Sequence, residues 1–151
     1  MAALSDSILS DRNRLQVGIT LLSIALVGAL ASPAAAFELC SSSKRHTCVV
    51  DGDTVWIQGE KIRLADIDTP ETEARCERER VGAAAAADRL AELLGPGAFE
   101  IKRGDPLDGR LVDRHGRTLA VIEIDGVSVG AMLVEEGLAR QWTGRRQSWC
   151  D

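Results

Sequence analysis

One long helical pattern divides the short strand patterns of this chain into two groups. Apolar residues recur every three or four positions from Glu77 to Leu94, which predicts an amphipathic helix with most charges off the buried stripe. Gly95-Pro96-Gly97 is expected to end it, because glycine and proline interrupt helices. The predicted buried stripe consists of Ala83, Ala87, Leu90, Ala91 and Leu94. A single helix of this kind needs a sheet against which to bury that stripe.

Five strands are predicted around the helix, three before it and two after it. Each combines alternating or β-branched residues with turn residues at its end. The hairpin before the helix turns at Gly59-Glu60, and alternation along its second strand directs Arg63 to the face opposite Ile62 and Leu64. The predicted strands are 47–50, 55–58, 61–65, 98–102 and 118–124.

The order of these elements predicts the fold class. A short second helix follows the fifth strand, with Ser128 as its cap and an end near Gly137. A long helix between strands three and four and a short C-terminal helix predict an α+β, mainly β fold, a five-stranded Greek-key barrel of the OB type. The patterns by themselves establish a small α+β domain.

The first 36 residues have the layout of a secretory signal. Basic residues precede an uncharged apolar run at 15–31, and the small residues that end at Ala36 suit a signal peptidase. The alternative is an uncleaved membrane anchor, although the run is shorter than the roughly 20 residues of a spanning helix. We expect a signal at 1–36, a lead-in at 37–46 and a folded domain at 47–151. The product would be a periplasmic or secreted monomer without stable membrane association after cleavage.

All four cysteines lie beyond the predicted signal, at Cys40, Cys48, Cys76 and Cys150. An even number of cysteines in an exported domain favours disulfides. The alternative is a zinc site, but no pair has C-x-x-C spacing and the two histidines lie in unrelated segments. We favour pairing Cys40 with Cys48 and Cys76 with Cys150, although the sequence does not decide among the three possible pairings.

Carboxylates crowd the segment between the first strand and the long helix. The stretch VVDGDTVWIQGEKIRLADIDTPET, residues 49–72, carries four aspartates and two glutamates against two basic residues. One interpretation is structural, with Asp51-Gly52 as a turn and Asp68 as the N-cap of a helix whose capping box Glu71 completes. The other is functional, because clustered carboxylates repel one another unless a cation binds among them. Oxygen ligands suit a hard cation such as Ca²⁺. The acidic residues expected to meet at one end of the barrel are Asp51, Asp53, Asp66, Asp68 and Glu71.

Two arginines indicate that this acidic site also binds phosphate. Arg63 lies within the acidic stretch, and Arg117 follows the glycine of the distant turn DRHGR. A guanidinium beside a bound cation holds phosphate oxygens from a second side. The formal net charge of −5 argues against a broad basic surface for nucleic acid, but not against a local one.

The stretches VVDGDTV, IRLADIDTPE and DRHGR resemble those of the staphylococcal nuclease, or thermonuclease, family. They occur in the same order, and the spacing between the arginine and the Asp-Thr-Pro-Glu motif also matches. The resemblance covers about residues 47–142. It implies an OB-fold barrel and a hydrolase that cleaves phosphodiester bonds in DNA or RNA with Ca²⁺.

The resemblance also implies roles for individual residues. The implied metal ligands are Asp53, Asp68 and the backbone carbonyl of Thr69, with Asp51 and Glu71 next to them and Asp51 acting through water. The implied catalytic residues are Arg63 and Arg117, which bind phosphate, and Glu71, the general base. The implied reaction is attack of a water in line with the 5′-oxygen bond, which leaves 3′-phosphate products.

The chain departs from the family's best-known member in its aromatic residues. That member has tyrosines that flank the bound nucleotide, whereas this chain has no tyrosine and carries His115 at one of those positions. Trp142, Arg145 and Arg146 in the stretch QWTGRRQSWCD are candidates for contacts with bases and phosphates. The alternatives are that His115 is an ordinary turn residue and that the tryptophans cover apolar surface. Two other functions also remain open, a non-catalytic nuclease-like binding module and a calcium protein for which phosphate is irrelevant.

Overall fold

The structure is a computed structural model that describes residues 37–41, 45–95 and 97–150, so the predicted signal at 1–36 lies outside the described residues. The strands are β1 (Cys48–Asp51), β2 (Thr54–Ile57), β3 (Glu60–Leu64), β4 (Ile67–Asp68), β5 (Glu100–Arg103), β6 (Thr118–Ile124), β7 (Val127–Ser128) and β8 (Arg140–Gln141). The helices are α1 (Glu77–Leu94) and α2 (Val129–Glu135). Within the ranges described, no helix is both long enough and apolar enough to cross a bilayer.

The strands form a mixed sheet and a smaller ribbon. The main sheet has the order β1-β2-β3-β6-β5, with β7 also paired to β6. Its pairings are antiparallel except that of β3 with β6, which is parallel. Strands β4 and β8 pair separately, with Asp68 opposite Arg140. This architecture confirms the predicted α+β, mainly β class and agrees with the OB type.

Helix α1 buries its apolar stripe against the sheet, as predicted. Its buried residues include Ala83, Ala86, Ala87, Leu90 and Leu94, while Ala91 is partly buried. They join a core whose large side chains come from β1, β2, β3, β4, β6 and α2: Val49, Val55, Ile62, Leu64, Ile67, Ile122, Val129 and Leu133. Each fully buried side chain of this size stabilises the fold by about 1.5–3 kcal/mol, so this core holds the helix in place.

The start of α1 differs from the capping-box interpretation. Asp68 pairs with Arg140 as a strand residue, and α1 begins at Glu77 with Cys76 in the N-cap position. The interpretation of Asp68 as a helix cap is therefore wrong. The cap predicted for the short helix is confirmed, because the Ser128 hydroxyl accepts a hydrogen bond from the Ala131 N–H at 3.1 Å.

Gly52 lies where the turn between β1 and β2 meets α1. A Cβ added there would be 2.6 Å from Cβ of Ala86 and 3.0 Å from Cβ of Thr69. Non-bonded carbon atoms pack at about 3.5–4.0 Å, so a side chain at this position displaces its neighbours. The backbone of the Asp51–Asp53 turn is thus seated directly on the helix.

The four cysteines form the two favoured disulfides. Cys40 pairs with Cys48 and Cys76 pairs with Cys150, which confirms that pairing. No cysteine is left as a free thiol. The zinc alternative therefore lacks its thiolate ligands.

Candidate active site

A cavity of about 900 Å³ gathers the residues singled out in the sequence. Its walls come from β3, the segment after β4, the loop before β6 and the segment after β8. The lining includes the three predicted catalytic residues, Arg63, Glu71 and Arg117, and the four predicted substrate contacts, His115, Trp142, Arg145 and Arg146. The fold therefore brings together side chains that are far apart along the chain.

Arg63 joins this cavity to a pair of buried aspartates. Its Nη2 lies 3.0 Å from Oδ2 of Asp53 and 4.0 Å from Oδ1 of Asp68. Its Nη1 donates a hydrogen bond to the Leu64 carbonyl at 3.0 Å. Alternation along β3 turns Arg63 away from the apolar core, as predicted, yet its side chain is only 8% exposed. A guanidinium held this firmly has a fixed direction in the cavity.

Asp53 and Asp68 are the buried carboxylates of the site. Asp53 follows Gly52 in the turn and accepts a hydrogen bond from the Thr54 hydroxyl at 2.8 Å. Oδ1 of Asp68 is buried and accepts no hydrogen bond. Burial raises the pKa of Asp68, and the charge of Arg146 acts in the opposite direction. The neighbouring Thr69 is also buried.

Asp51 lies beside this pair, and the charge of Asp53 affects its pKa. Its Oδ1 accepts a hydrogen bond from the Asp53 N–H at 3.1 Å. Burial, followed by the negative charge of Asp53, raises the pKa of Asp51 to about 6. The guanidinium groups of Arg63 and Arg146 offset part of the negative charge of this cluster, because they pair with Asp53 and Asp68.

Asp66 has a different role from the one expected. Its carboxylate accepts a hydrogen bond from the Ser128 hydroxyl, and a Cβ added to Gly130 would lie 2.6 Å from its Oδ2. The side chain therefore packs against the start of α2. Its backbone carbonyl accepts a hydrogen bond from the Trp142 N–H at 2.8 Å, which fixes the chain after β8.

Arg117 is oriented by two partners. Its Nε donates to Oδ2 of Asp113 at 2.7 Å, and its Nη1 donates to the Thr54 hydroxyl at 3.2 Å. Asp113 also accepts hydrogen bonds from the backbone N–H groups of His115 and Arg117. Burial acts to raise the pKa of Asp113, but these hydrogen bonds and the charge of Arg117 outweigh it and lower the pKa. The DRHGR turn is thus built around an ionised carboxylate.

Replacing Asp113 with Ala is expected to lower kcat/KM for the phosphodiester cleavage predicted from the sequence about 10- to 100-fold, because Arg117 loses the partner that sets its position. Asp108→Ala is the matched control, since Asp108 lies in the same loop but pairs with Arg110 instead. Steady-state kinetics on both variants checks the expectation. Equal rates for the two variants would contradict the orienting role.

The chain after β8 forms another wall of the cavity. The ring of Trp142 lies 5.4 Å from the guanidinium carbon of Arg63, a cation–π contact. Arg146 forms an ion pair with Glu71, and its Nε lies 3.6 Å from Oδ1 of Asp68. The sequence placed Arg146 among the substrate contacts but gave no sign of these carboxylate partners.

Three basic residues of the lining were not predicted: Lys61, Arg110 and Arg114. A signal for Lys61 was present, because it lies two residues before Arg63 and so shares its face of β3. Arg114 was also visible within the DRHGR motif. Arg110 had no local signal, since its place depends on how the 104–116 loop folds around the buried Asp105.

Comparison with known proteins agrees with this geometry. Residues 61–149 match the family model described as staphylococcal nuclease homologue. The chain is 37% identical over 95 residues to endonuclease YncB of Bacillus subtilis (strain 168), covering 60% of this chain and 44% of that protein. It is likewise 37% identical over 95 residues to the SPbeta prophage-derived endonuclease YokF of the same strain, covering 60% and 31%. It is 30% identical over 104 residues to a micrococcal nuclease of Shigella flexneri, covering 60% and 53%.

The matches cover only part of these relatives, between 31% and 53% of their lengths. The family match begins at Lys61, so Asp51 and Asp53 lie outside it and their assignment depends on the motif and the geometry. It includes Arg63, Glu71, Arg117 and the whole chain from β8 to Trp149. Because the family model matches more than half of the sequence and the cavity residues within it, this chain belongs to the staphylococcal nuclease family.

Proposed function

We propose that this chain is a Ca²⁺-dependent nuclease that hydrolyses phosphodiester bonds in DNA or RNA. The convergence of Arg63, Glu71 and Arg117 on one cavity carries the proposal. The relatives named as endonucleases and as a micrococcal nuclease support the same reaction class. Since the matches span only part of those relatives, the activity is proposed on the strength of the site itself.

The charge of the cavity suits a polyanionic substrate. The basic residues of its lining are Lys61, Arg63, Arg110, Arg114, Arg117, Arg145 and Arg146, and the acidic ones are Glu71, Asp105 and Asp113. The formal net charge of the whole chain is −5, so this basic surface is local. Local positive charge attracts the phosphate backbone and raises the rate of encounter.

The residues present fit a calcium ion beside this cavity. Asp53, Asp68 and the Thr69 carbonyl would hold it, with Asp51 and Glu71 acting through water. All of these are hard oxygen ligands, and Oδ1 of Asp68 is a buried oxygen without a hydrogen-bond donor. When bound, Ca²⁺ would supply positive charge to the phosphoryl oxygens as a Lewis acid.

The protein side chains would accept the proton of the attacking water and bind the phosphoryl oxygens. Glu71 is partly exposed at the cavity and accepts the proton of the attacking water. Arg63 and Arg117 donate hydrogen bonds to the phosphoryl oxygens as negative charge develops on them. Attack in line with the 5′-oxygen bond would leave 3′-phosphate and 5′-hydroxyl ends.

We also propose that the protein acts as a monomer in the periplasm or outside the cell. Two disulfides support an oxidising compartment, and the predicted signal at 1–36 agrees with it. Cell fractionation, N-terminal sequencing and light scattering test this proposal. A cytoplasmic product that retains residues 1–36 would contradict it.

A chelator-controlled digest tests the proposed activity. The mature protein is incubated with single-stranded DNA or with RNA, first in excess chelator and then after Ca²⁺ is restored. We expect cleavage only with Ca²⁺. The products should carry 5′-hydroxyl ends, which a polynucleotide kinase phosphorylates with ATP without prior phosphatase treatment. Absence of Ca²⁺-dependent cleavage on both substrates would refute the proposal.

A further inference from the structure

We propose that the Cys76–Cys150 disulfide serves substrate binding: it holds the C-terminal tail, residues 142–150, as one wall of a cleft for single-stranded nucleic acid. In this arrangement Arg145 and Arg146 bind phosphates. The inference rests on the proposed nuclease function and adds to it a substrate form and a means of building the site.

The tail lies outside the helices and strands, so its path depends on a few anchors. At one end, the Trp142 N–H donates to the Asp66 carbonyl. At the other end, Nη1 of Arg140 donates to the Ser148 carbonyl at 2.9 Å, and its guanidinium carbon lies 3.9 Å from the ring centroid of Trp149. These contacts are non-covalent, and Ser148 lies on an exposed part of the chain, whereas the disulfide fixes the tail covalently.

The disulfide connects the tail to the segment that carries the proposed base. Cys76 ends the 69–76 segment, in which Glu71 lies, and Cys150 follows Arg146 by four residues. The sulfur of Cys150 lies 3.5 Å from Oε2 of Glu79, which is buried in the first turn of α1. The link therefore joins the tail to the N-terminal end of α1, close in sequence to Arg146.

Arg146 retains capacity for a phosphate while it contacts carboxylates. A guanidinium has five N–H donors, and the ion pairs with Glu71 and Asp68 are made through Nη1 and Nε. Its side chain is 47% exposed and lines the same cavity as Arg117. The ion pair with Glu71 is weak, because both of its side chains are exposed.

Basic residues of the cavity thus come from several segments. The loop before β6 contributes Arg114 and Arg117, and the tail contributes Arg145 and Arg146. A volume of about 900 Å³ is that of a pocket for a small ligand, which suits unpaired nucleotides rather than a duplex. Without the tail, phosphates would keep only the cationic partners that come from β3 and from the loop before β6.

Binding measured without cleavage tests this inference. A fluorescent oligothymidylate is titrated with the mature protein in excess chelator, and the association constant is followed by anisotropy over a range of salt concentrations. Each phosphate contact on a single strand contributes about 0.7 to the slope of log K against log salt. We expect Arg145→Ala/Arg146→Ala to lower the slope by about 1.4 and to weaken binding at 0.1 M salt about 25-fold.

The disulfide variant should reproduce that result. Cys76→Ser/Cys150→Ser keeps both arginines but releases the tail, so we expect a similar loss of slope. Adding the arginine substitutions to it should cause little further loss. Cys40→Ser/Cys48→Ser is the control for removing a disulfide, and Arg89→Ala/Arg103→Ala is the control for net charge, since those arginines pair outside the cavity.

Two results would overturn the inference: a wild-type slope in the arginine variant, or a wild-type slope in a folded Cys76→Ser/Cys150→Ser variant. The arginine variant keeps both disulfides, so it decides the matter if the cysteine variant does not fold. A chain that binds as expected but never cleaves would refute the nuclease proposal and leave this inference standing.

Discussion

Glu71→Gln is expected to lower kcat for phosphodiester cleavage about 10²- to 10⁴-fold, the usual contribution of a general base. Glutamine keeps the shape of the side chain and its ability to meet Arg146, but it cannot accept the proton of the attacking water. The unfolding midpoint in urea should stay close to that of the wild type, because Glu71 is partly exposed. Single-turnover rates on a saturating oligonucleotide measure the effect on chemistry separately from binding.

Glu73→Gln is the matched control, since Glu73 is an exposed carboxylate two residues further along the same segment. Its kcat should equal that of the wild type. A Glu71→Gln enzyme with an unchanged rate would remove Glu71 from the role of base. Wild-type protein that binds single strands and never cleaves them would instead identify a non-catalytic binding module.

Arg63→Ala is expected to abolish measurable cleavage and to lower the free energy of unfolding by about 3–5 kcal/mol, because it leaves buried carboxylates without their partner. The side chains of Arg63 and Asp53 are 8% and 6% exposed, so solvent screens this pair poorly. Urea denaturation at neutral pH in the presence of chelator measures the change in stability.

Arg103→Ala is the control for this variant, because Arg103 pairs with Glu60 on the surface and its loss should cost about 1 kcal/mol or less. Calcium should restore part of the stability of Arg63→Ala, since a ligand that binds only the folded state stabilises it by mass action. A variant as stable as the wild type would show that the Asp53 pair contributes nothing to the fold.

The longer elements of the fold were predictable because their signals are local. The 3.6-residue period of α1 spans five turns, and the alternation in β6 predicts its bounds, Thr118–Ile124. The two-residue strands β4, β7 and β8 were not predicted, because two residues carry no period. The pairing of Asp68 with Arg140 depends instead on the core that brings distant segments together.

The residues of the candidate site were predictable where they lie within short sequence motifs. Asp53, Arg63 and Asp68 lie in motifs that the sequence displays, and the structure places them within one ion-pair network. The burial of Arg63 was not predictable, because it requires aspartates from two separate segments to cover it. The contact of Arg146 with Glu71 was not predictable, because it brings together residues that are 75 positions apart and in no shared motif.

The alanine-rich side of α1 has a consequence for the width of the proposed calcium site. A Cβ added at Gly52 would lie only 2.6 Å from the methyl group of Ala86, so the helix packs closely against the turn that carries Asp53. A larger residue at position 86 would act as a wedge and move that turn relative to Thr69 and Asp68, without altering any group that performs chemistry. Helix α1 therefore influences the spacing of Asp53 from Asp68 and Thr69, although none of its residues is a proposed ligand of the metal.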